Sequence, residues 1–320
     1  MLLPFLDPGQ ALLGDRFPLP LDRPFTLRAA VRVGLKPHDL GWLCEEGFLR
    51  RMLNGVYVAA QAGDSIELRA DALRLVVPPD AVVTDRSAGC LHGAEMILAP
   101  NDHLAVPPVS VFVNRRGARL RNDLTDSGQR FLRPADVMEV FGVRVTTPLR
   151  TACYLGRLLR ADGAFAALDT MLRLGAFGRD ELWAETDRFR GIRGVIQLRA
   201  FVPLADGRAE SPGESVTRLR WLAAGFQPGP ELQIEVERPG QWSYRIDLGV
   251  EDLRFGVEYL GEEWHLLTPQ QRQRDERRRT WLEEQRDWII EPVTKQNVFG
   301  HQRDIEGIIM NGIRDARRRL

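Results

Sequence analysis

The stretch SYRIDLGVEDLRFGVEYLGEEWH, residues Ser243 to His265, decides how the C-terminal third folds. Tyr244, Ile246, Leu248 and Val250 alternate with Arg245, Asp247 and Gly249. After Glu251 and Asp252 the alternation resumes, with Phe255, Val257 and Tyr259 against Gly256, Glu258 and Leu260. Period-two alternation broken once by polar residues is the signature of two strands and a turn. A loop over Glu251 to Arg254 sets Val250 against Phe255 and therefore Asp247 opposite Glu258. Side chains directly opposed across a ladder have Cβ atoms about 4.5–5.5 Å apart. Two carboxylates that close repel unless a proton or a cation lies between them. A hard divalent ion such as Mg²⁺ or Mn²⁺ removes that repulsion. A register slip of one residue separates the two acids, and a guanidinium lodged permanently between them leaves no place for the ion.

The rest of the chain sets the limits. Its 320 residues suffice for two or three domains. Hydrophobic residues make up 44% and charged residues 28%, the balance of a soluble globular protein. The 44 basic and 44 acidic residues cancel, so nucleic acid can be met only by a local patch. Lys36 and Lys295 are the only lysines; the remaining basic residues are arginine. Cys44, Cys90 and Cys153 lie far apart in the sequence, outside any metal-ligand spacing, and are expected to be buried thiols in a reducing cytoplasm. The N-terminus lacks the pattern of a signal peptide, and no apolar run reaches the roughly 20 residues of a membrane span. A cytoplasmic protein without membrane contact is expected.

Residues 1 to about 24, rich in Pro and Leu, are expected to wrap another domain as an irregular arm. Thr26 caps a short helix to Val33, Gly34 ends it, and Pro37 opens a second helix through Glu46. FLRRMLNGVYVA, Phe48 to Ala59, follows as a two-stranded wing with Asn54-Gly55 as a type I′ turn. In the middle region a strand at Ala81 to Val83 leads to a helix at Ser87, and strands follow at Val109–Val113 and Val143–Thr147. His92 stands alone among apolar neighbours and reads as structural. The Gly, Pro and Ser of ADGRAESPGES, Ala205 to Ser215, mark a boundary. Three domains are expected: an arm and winged helix-turn-helix over 1–62, an α/β region over 63–205, and an α/β domain with a mixed sheet over 206–320.

Glu214, at the start of the helix after that linker, has two readings. Ser211 to Glu214 forms a capping box with Pro at the first helical position; alternatively, Glu214 faces an ion held by Asp247 and Glu258. QRQRDERRRTWL, on a long helix begun by Thr268 and Pro269, carries Arg272, Arg274, Arg277, Arg278 and Arg279. It reads either as a solvated face or as a phosphate-facing patch.

Two resemblances organise these readings. Arg51, Gly55, Val56 and Tyr57, behind the short helical pair, match the R-x-x-x-G-V-Y hallmark of the N-terminal domain of AbiEi-type antitoxins of abortive-infection systems. TDRSAGCLHG, Thr84 to Gly93, resembles a following segment in the same proteins. The resemblance implies DNA binding through the Pro37–Glu46 helix with Arg50 and Arg51 near phosphates, or a wing kept as a scaffold. The helix itself is poor in base-reading side chains.

The last 110 or so residues resemble the PD-(D/E)XK nucleases, in particular a family related to the very-short-patch mismatch-repair endonuclease. The resemblance implies a restriction-endonuclease-like α/β fold in which Glu214, Asp247 and Glu258 are the catalytic acids and metal ligands. It adds His265 as a further catalytic residue, and Asp275 and Arg278 as a D-x-x-R pair. Arg274 and Arg278 would contact nucleic acid. Leu260 stands where the wider superfamily has its motif lysine and nearer relatives an Asp. The resemblances together imply a Mg²⁺- or Mn²⁺-dependent DNA endonuclease of a phage-defence or toxin-antitoxin-like system, with DNA and a cognate toxin or other defence protein as partners. The rival is a non-catalytic DNA-binding antitoxin or repressor whose nuclease domain has decayed.

Overall fold

Thr26 closes the short strand β1 (Phe25–Thr26) and starts helix α1 (Leu27–Arg32), its Oγ1 accepting the Ala29 N–H at 3.1 Å. Gly34, at φ 92°, turns the chain into α2 (Pro37–Glu45), which has Pro at its first position. Strands β2 (Leu49–Leu53) and β3 (Val56–Ala59) follow, and the small sheet runs β1-β3-β2. The turn at Asn54-Gly55 is present, but only Gly55 is left-handed, at φ 72°, so it is not type I′. A register shift between Arg51 and Leu53 marks a bulge, which provides twist that the turn does not. The described residues of the arm pack into the core beneath the helix pair. Phe5, Leu6, Leu13 and Phe17 share the core of Leu40 and Leu43, and Phe17 packs on Phe25 with ring centroids 6.0 Å apart.

The computed structural model describes residues 3–7, 9–78, 80–94, 109–113, 125–261 and 268–319. These fall into two compact units, Met1–Leu155 and Gly156–Leu320. The first unit continues with α3 (Ile66–Arg74), β4 (Val82–Val83), α4 (Asp85–Leu91), β5 (Val109–Val113), β6 (Thr125–Gln129), β7 (Val137–Val140) and β8 (Val143–Thr146). Their sheet is mixed, in the order β6-β5-β4-β8-β7, and α5 (Pro148–Leu158) leaves it. Ala70, Leu73, Val83, Leu91, Val111 and Val145 fill the space between sheet and helices.

The second unit opens with α6 (Ala161–Arg173), α7 (Arg179–Glu185) and α8 (Val195–Phe201). Next come α9 (Pro212–Ala224), β9 (Glu231–Arg238), β10 (Gln241–Val250), β11 (Phe255–Leu260), α10 (Pro269–Arg286), β12 (Ile289–Thr294), α11 (Lys295–Val298) and α12 (Ile305–Arg319). The sheet order is β12-β11-β10-β9, antiparallel except for the parallel pair β11–β12. Residues 205–215 are no free linker. Ala205 and Ala209 are buried, the Asp206 N–H donates to Asp169, and the guanidinium of Arg218 on α9 donates to the Leu204 carbonyl and both Asp169 oxygens. The helices before this segment and the sheet after it therefore form one unit. No helix among the described residues is long and apolar enough to cross a membrane.

Candidate active site

The hairpin adopts the expected register: Val250 pairs with Phe255, Gly249 with Gly256 and Leu248 with Val257. The two glycines are required by close approach. A Cβ at Gly249 would lie 2.5 Å from the Phe255 carbonyl oxygen, and one at Gly256 2.5 Å from Ile246 Cγ2. One step beyond Leu248 and Val257 the ladder stops, at Asp247 and Glu258. The Tyr259 N–H donates to Asp247 Oδ2 at 3.0 Å.

The same step is broken on the other side of β10. Ile246 pairs with Ile234 and Leu248 with Leu232, while the intervening position, Asp247 opposite Gln233, is skipped. Gln233 lies at φ 55°, a left-handed conformation uncommon for a non-glycine residue and unusual inside a strand. This twist aims its amide at α9. Gln233 Nε2 donates to Glu214 Oε2 at 2.9 Å, and Gln233 Oε1 is buried without a hydrogen-bond partner among the described residues.

Glu214 sits in the first turn of α9. Ser211 Oγ accepts its N–H at 3.2 Å, as the capping reading expects, but its carboxylate reaches past Ser211 to accept the Glu210 N–H at 2.9 Å. Gly213 brings this turn against β11, since any Cβ there would collide with the Tyr259 ring. Glu214 is 6% exposed and Glu258 3%. Burial, with the Asp247 charge adding, pushes the Glu214 carboxyl up to about 7. Burial also lifts Asp247 to about 6, opposed by the Tyr259 N–H and assisted by Glu258. The Glu258 carboxyl is raised by burial and held back by Arg278 and Arg279.

Arg278 lies at the centre of the remaining geometry. Its Nη2 donates to Glu258 Oε2 and its Nη1 to the Arg245 carbonyl, both at 2.8 Å. A guanidinium thus neutralises one of the three acids. No group of three His, Cys, Asp or Glu side chains among the described residues is placed to share one metal ion. The expected ligand set of Glu214, Asp247 and Glu258 is hard and oxygen-rich, as Mg²⁺ and Mn²⁺ require, but it is not assembled: each acid is tied to its own donor.

Arg274 is exposed on α10. In the first unit, Arg50 Nη2 donates to the Ala62 carbonyl at 2.7 Å, and Arg51 donates to Asn54 Oδ1. Both guanidinia therefore brace the wing and its exit, although Arg51 keeps an exposed edge. His92 Nε2 lies 2.7 Å from the Thr146 carbonyl, a structural contact as expected. His265 lies outside the described residues. Gln233 is the polar residue that sequence reasoning missed; its one signal was its place opposite Asp247 once β9 and β10 are aligned.

Two Mycobacterium tuberculosis proteins, Rv2248 (strain ATCC 25618 / H37Rv) and MT2308 (strain CDC 1551 / Oshkosh), are each 34% identical to the chain over 262 residues. The alignment spans 79% of this chain and 88% of each relative. The chain belongs to their family. Residues 81–204 match the AbiEi antitoxin C-terminal domain. The match ends at Leu204, before α9 and the cluster of acids.

Proposed function

We propose that this family member is a metal-dependent DNA endonuclease of an abortive-infection or toxin-antitoxin-like system. The observation that carries this reading is the cluster of Glu214, Asp247 and Glu258. Three separate elements bring the buried Glu214 and Glu258 and the half-buried Asp247 to one broken ladder step, where the Glu214 and Asp247 carboxyls are pushed up to about 7 and about 6. Buried carboxylates with strongly shifted protonation contribute little to stability and concentrate at sites of chemistry.

Asp247 and Glu258 would hold the ion, with Glu214 beside them. When bound, Mg²⁺ or Mn²⁺ supplies a water of lowered pKa and positive charge against the phosphate. The Tyr259 N–H keeps Asp247 oriented, and Gln233 keeps Glu214 in place. With its proton balanced near neutrality, Glu214 can act as a general acid or base there. His265 would orient the attacking water. Arg274, on the outer face of α10, would meet the DNA backbone. In the first unit, α1, the Gly34 turn, α2 and the β2–β3 hairpin follow the order of a winged helix-turn-helix, which would contribute site preference.

Incubating supercoiled and linear DNA with the protein and Mg²⁺ or Mn²⁺ tests this. Cleavage that disappears in Asp247→Ala is expected. Intact DNA under all these conditions, or equal cutting by the variant, rejects it.

One observation favours a second reading. The Arg278–Glu258 ion pair, together with Leu260 in place of an acid or lysine, suits a DNA-binding antitoxin whose nuclease domain is silent. A promoter gel shift without metal-dependent cleavage, and capture of a cognate toxin, would decide for it.

A further inference from the structure

The Arg278–Glu258 ion pair, one of the contacts that tie up the three acids, opens to solvent on its arginine side. The Glu258 side chain is 4% exposed and that of Arg278 27%, so the arginine covers the buried carboxylate from the solvent side. Among the described residues, the second nitrogen of Arg278 meets the Arg245 carbonyl and no carboxylate. Glu258 also feels Arg279 and Asp275 from α10 and Asp247 from β10, so removal of Arg278 leaves it one weaker positive neighbour and two acids.

We propose that Arg278 is a reversible counterion, exchanged between Glu258 and a DNA phosphate, so that binding the phosphodiester frees Glu258 to complete the ion site with Asp247. The inference rests on the nuclease reading and adds its order of events. Without DNA, Arg278 neutralises Glu258, because a buried carboxylate stripped of its partner is strongly unfavourable. A phosphodiester offers the same guanidinium two anionic oxygens in the fork geometry it prefers. Once the arginine turns outward, Glu258 and Asp247 would be left without a guanidinium and would be the two carboxylates that hold a divalent ion. DNA and metal then bind cooperatively, and linkage requires each to strengthen the other equally. Arg278 is here a positioning residue: it acts on the ion through Glu258.

The test measures Mn²⁺ binding to the full-length protein by the loss of the free-ion EPR signal, with and without a short duplex carrying uncleavable phosphate linkages. For the wild type, saturating duplex should tighten Mn²⁺ binding by about tenfold or more. Arg278→Met should bind Mn²⁺ about tenfold more tightly than wild type without DNA and gain nothing further from duplex. Asp247→Asn should lose Mn²⁺ binding in either background. Arg278→Lys keeps the charge but not the fork, and serves if the Met variant fails to fold; its coupling should fall between the two. Wild-type Mn²⁺ affinity indifferent to duplex, or an Arg278→Met affinity no better than wild type, overturns the exchange. Coupling without cleavage keeps the exchange and rejects the nuclease, whereas metal-dependent cleavage without coupling does the reverse.

Discussion

Glu214 is an acid held against its own charge, and the pH dependence of stability should reveal it. A carboxyl whose folded value lies above its unfolded one binds more protons in the native state between those values, so stability falls as pH rises through them. For Glu214 the window runs from 4.5 to about 7, and for Asp247 from 3.8 to about 6. Each tenfold change in proton affinity is worth about 1.4 kcal/mol, so Glu214 alone would cost the native state on the order of 3 kcal/mol above its window. Urea unfolding across this range should show wild-type stability declining toward neutral pH, with Glu214→Gln and Asp247→Asn each flattening the curve. A wild-type curve that rises instead would mean the acids are already compensated. Sequence showed Asp247 and Glu258 as opposed, and Glu214 both as a capping acid and as an acid facing the ion between them. Gln233 was not legible, because a left-handed non-glycine residue in a strand has no local sequence signature. Arg278 was legible as a cation, but one arginine among five on a helix gives no sign of which one reaches back to a strand.

At the scale of the element, what brings α9 to the hairpin is the absence of a side chain. Gly213 lets the first turn of α9 lie on the Tyr259 ring, and the Tyr259 backbone in turn orients Asp247. Gly213→Ala should therefore do two things. It should destabilise by about 1–3 kcal/mol, the usual cost of overpacking. It should also weaken the pH dependence argued above, because Glu214 moves away from the Asp247 charge. Gly307→Ala on α12 is the control: nothing lies within 4 Å of the added methyl, so a helix interior should gain up to about 1 kcal/mol. Thermal unfolding of both variants at two pH values separates these effects. The strands themselves were legible from alternation, since one residue of slip would have exposed Ile246 and Leu248, both fully buried. The β2–β3 hairpin was legible in outline but its turn type was not. Asn-Gly suits type I′, yet the bulge before it changes the twist the turn has to supply.

At the scale of the whole molecule, composition and packing draw the seam in different places. The Gly, Pro and Ser residues between Ala205 and Ser215 read as a linker because such residues punctuate loops, and composition says nothing of whether a loop is buried. Here it is pinned by Arg218, whose side chain is 7% exposed and whose partner Asp169, on α6, is fully buried. Removing one partner of a buried ion pair leaves an uncompensated charge and costs about 3–5 kcal/mol, a large part of what holds a domain of this size together. A fragment starting at residue 206 keeps every acid of the candidate site but leaves Arg218 without Asp169. It also strips α6 from α9, exposing the side of α9 that packed on it, where in the full chain the Arg218 guanidinium lies 4.7 Å from the Phe165 ring. That fragment should be insoluble or molten, with no cooperative thermal transition, whereas one starting at residue 156 should unfold in a single step. Asp169→Asn in the full chain should lie between them, since the amide still accepts one hydrogen bond from Arg218 but cancels none of its charge. Cooperative unfolding of the shorter fragment would show that the acids and their sheet stand without α6, and that Arg218 finds water or another partner when Asp169 is gone.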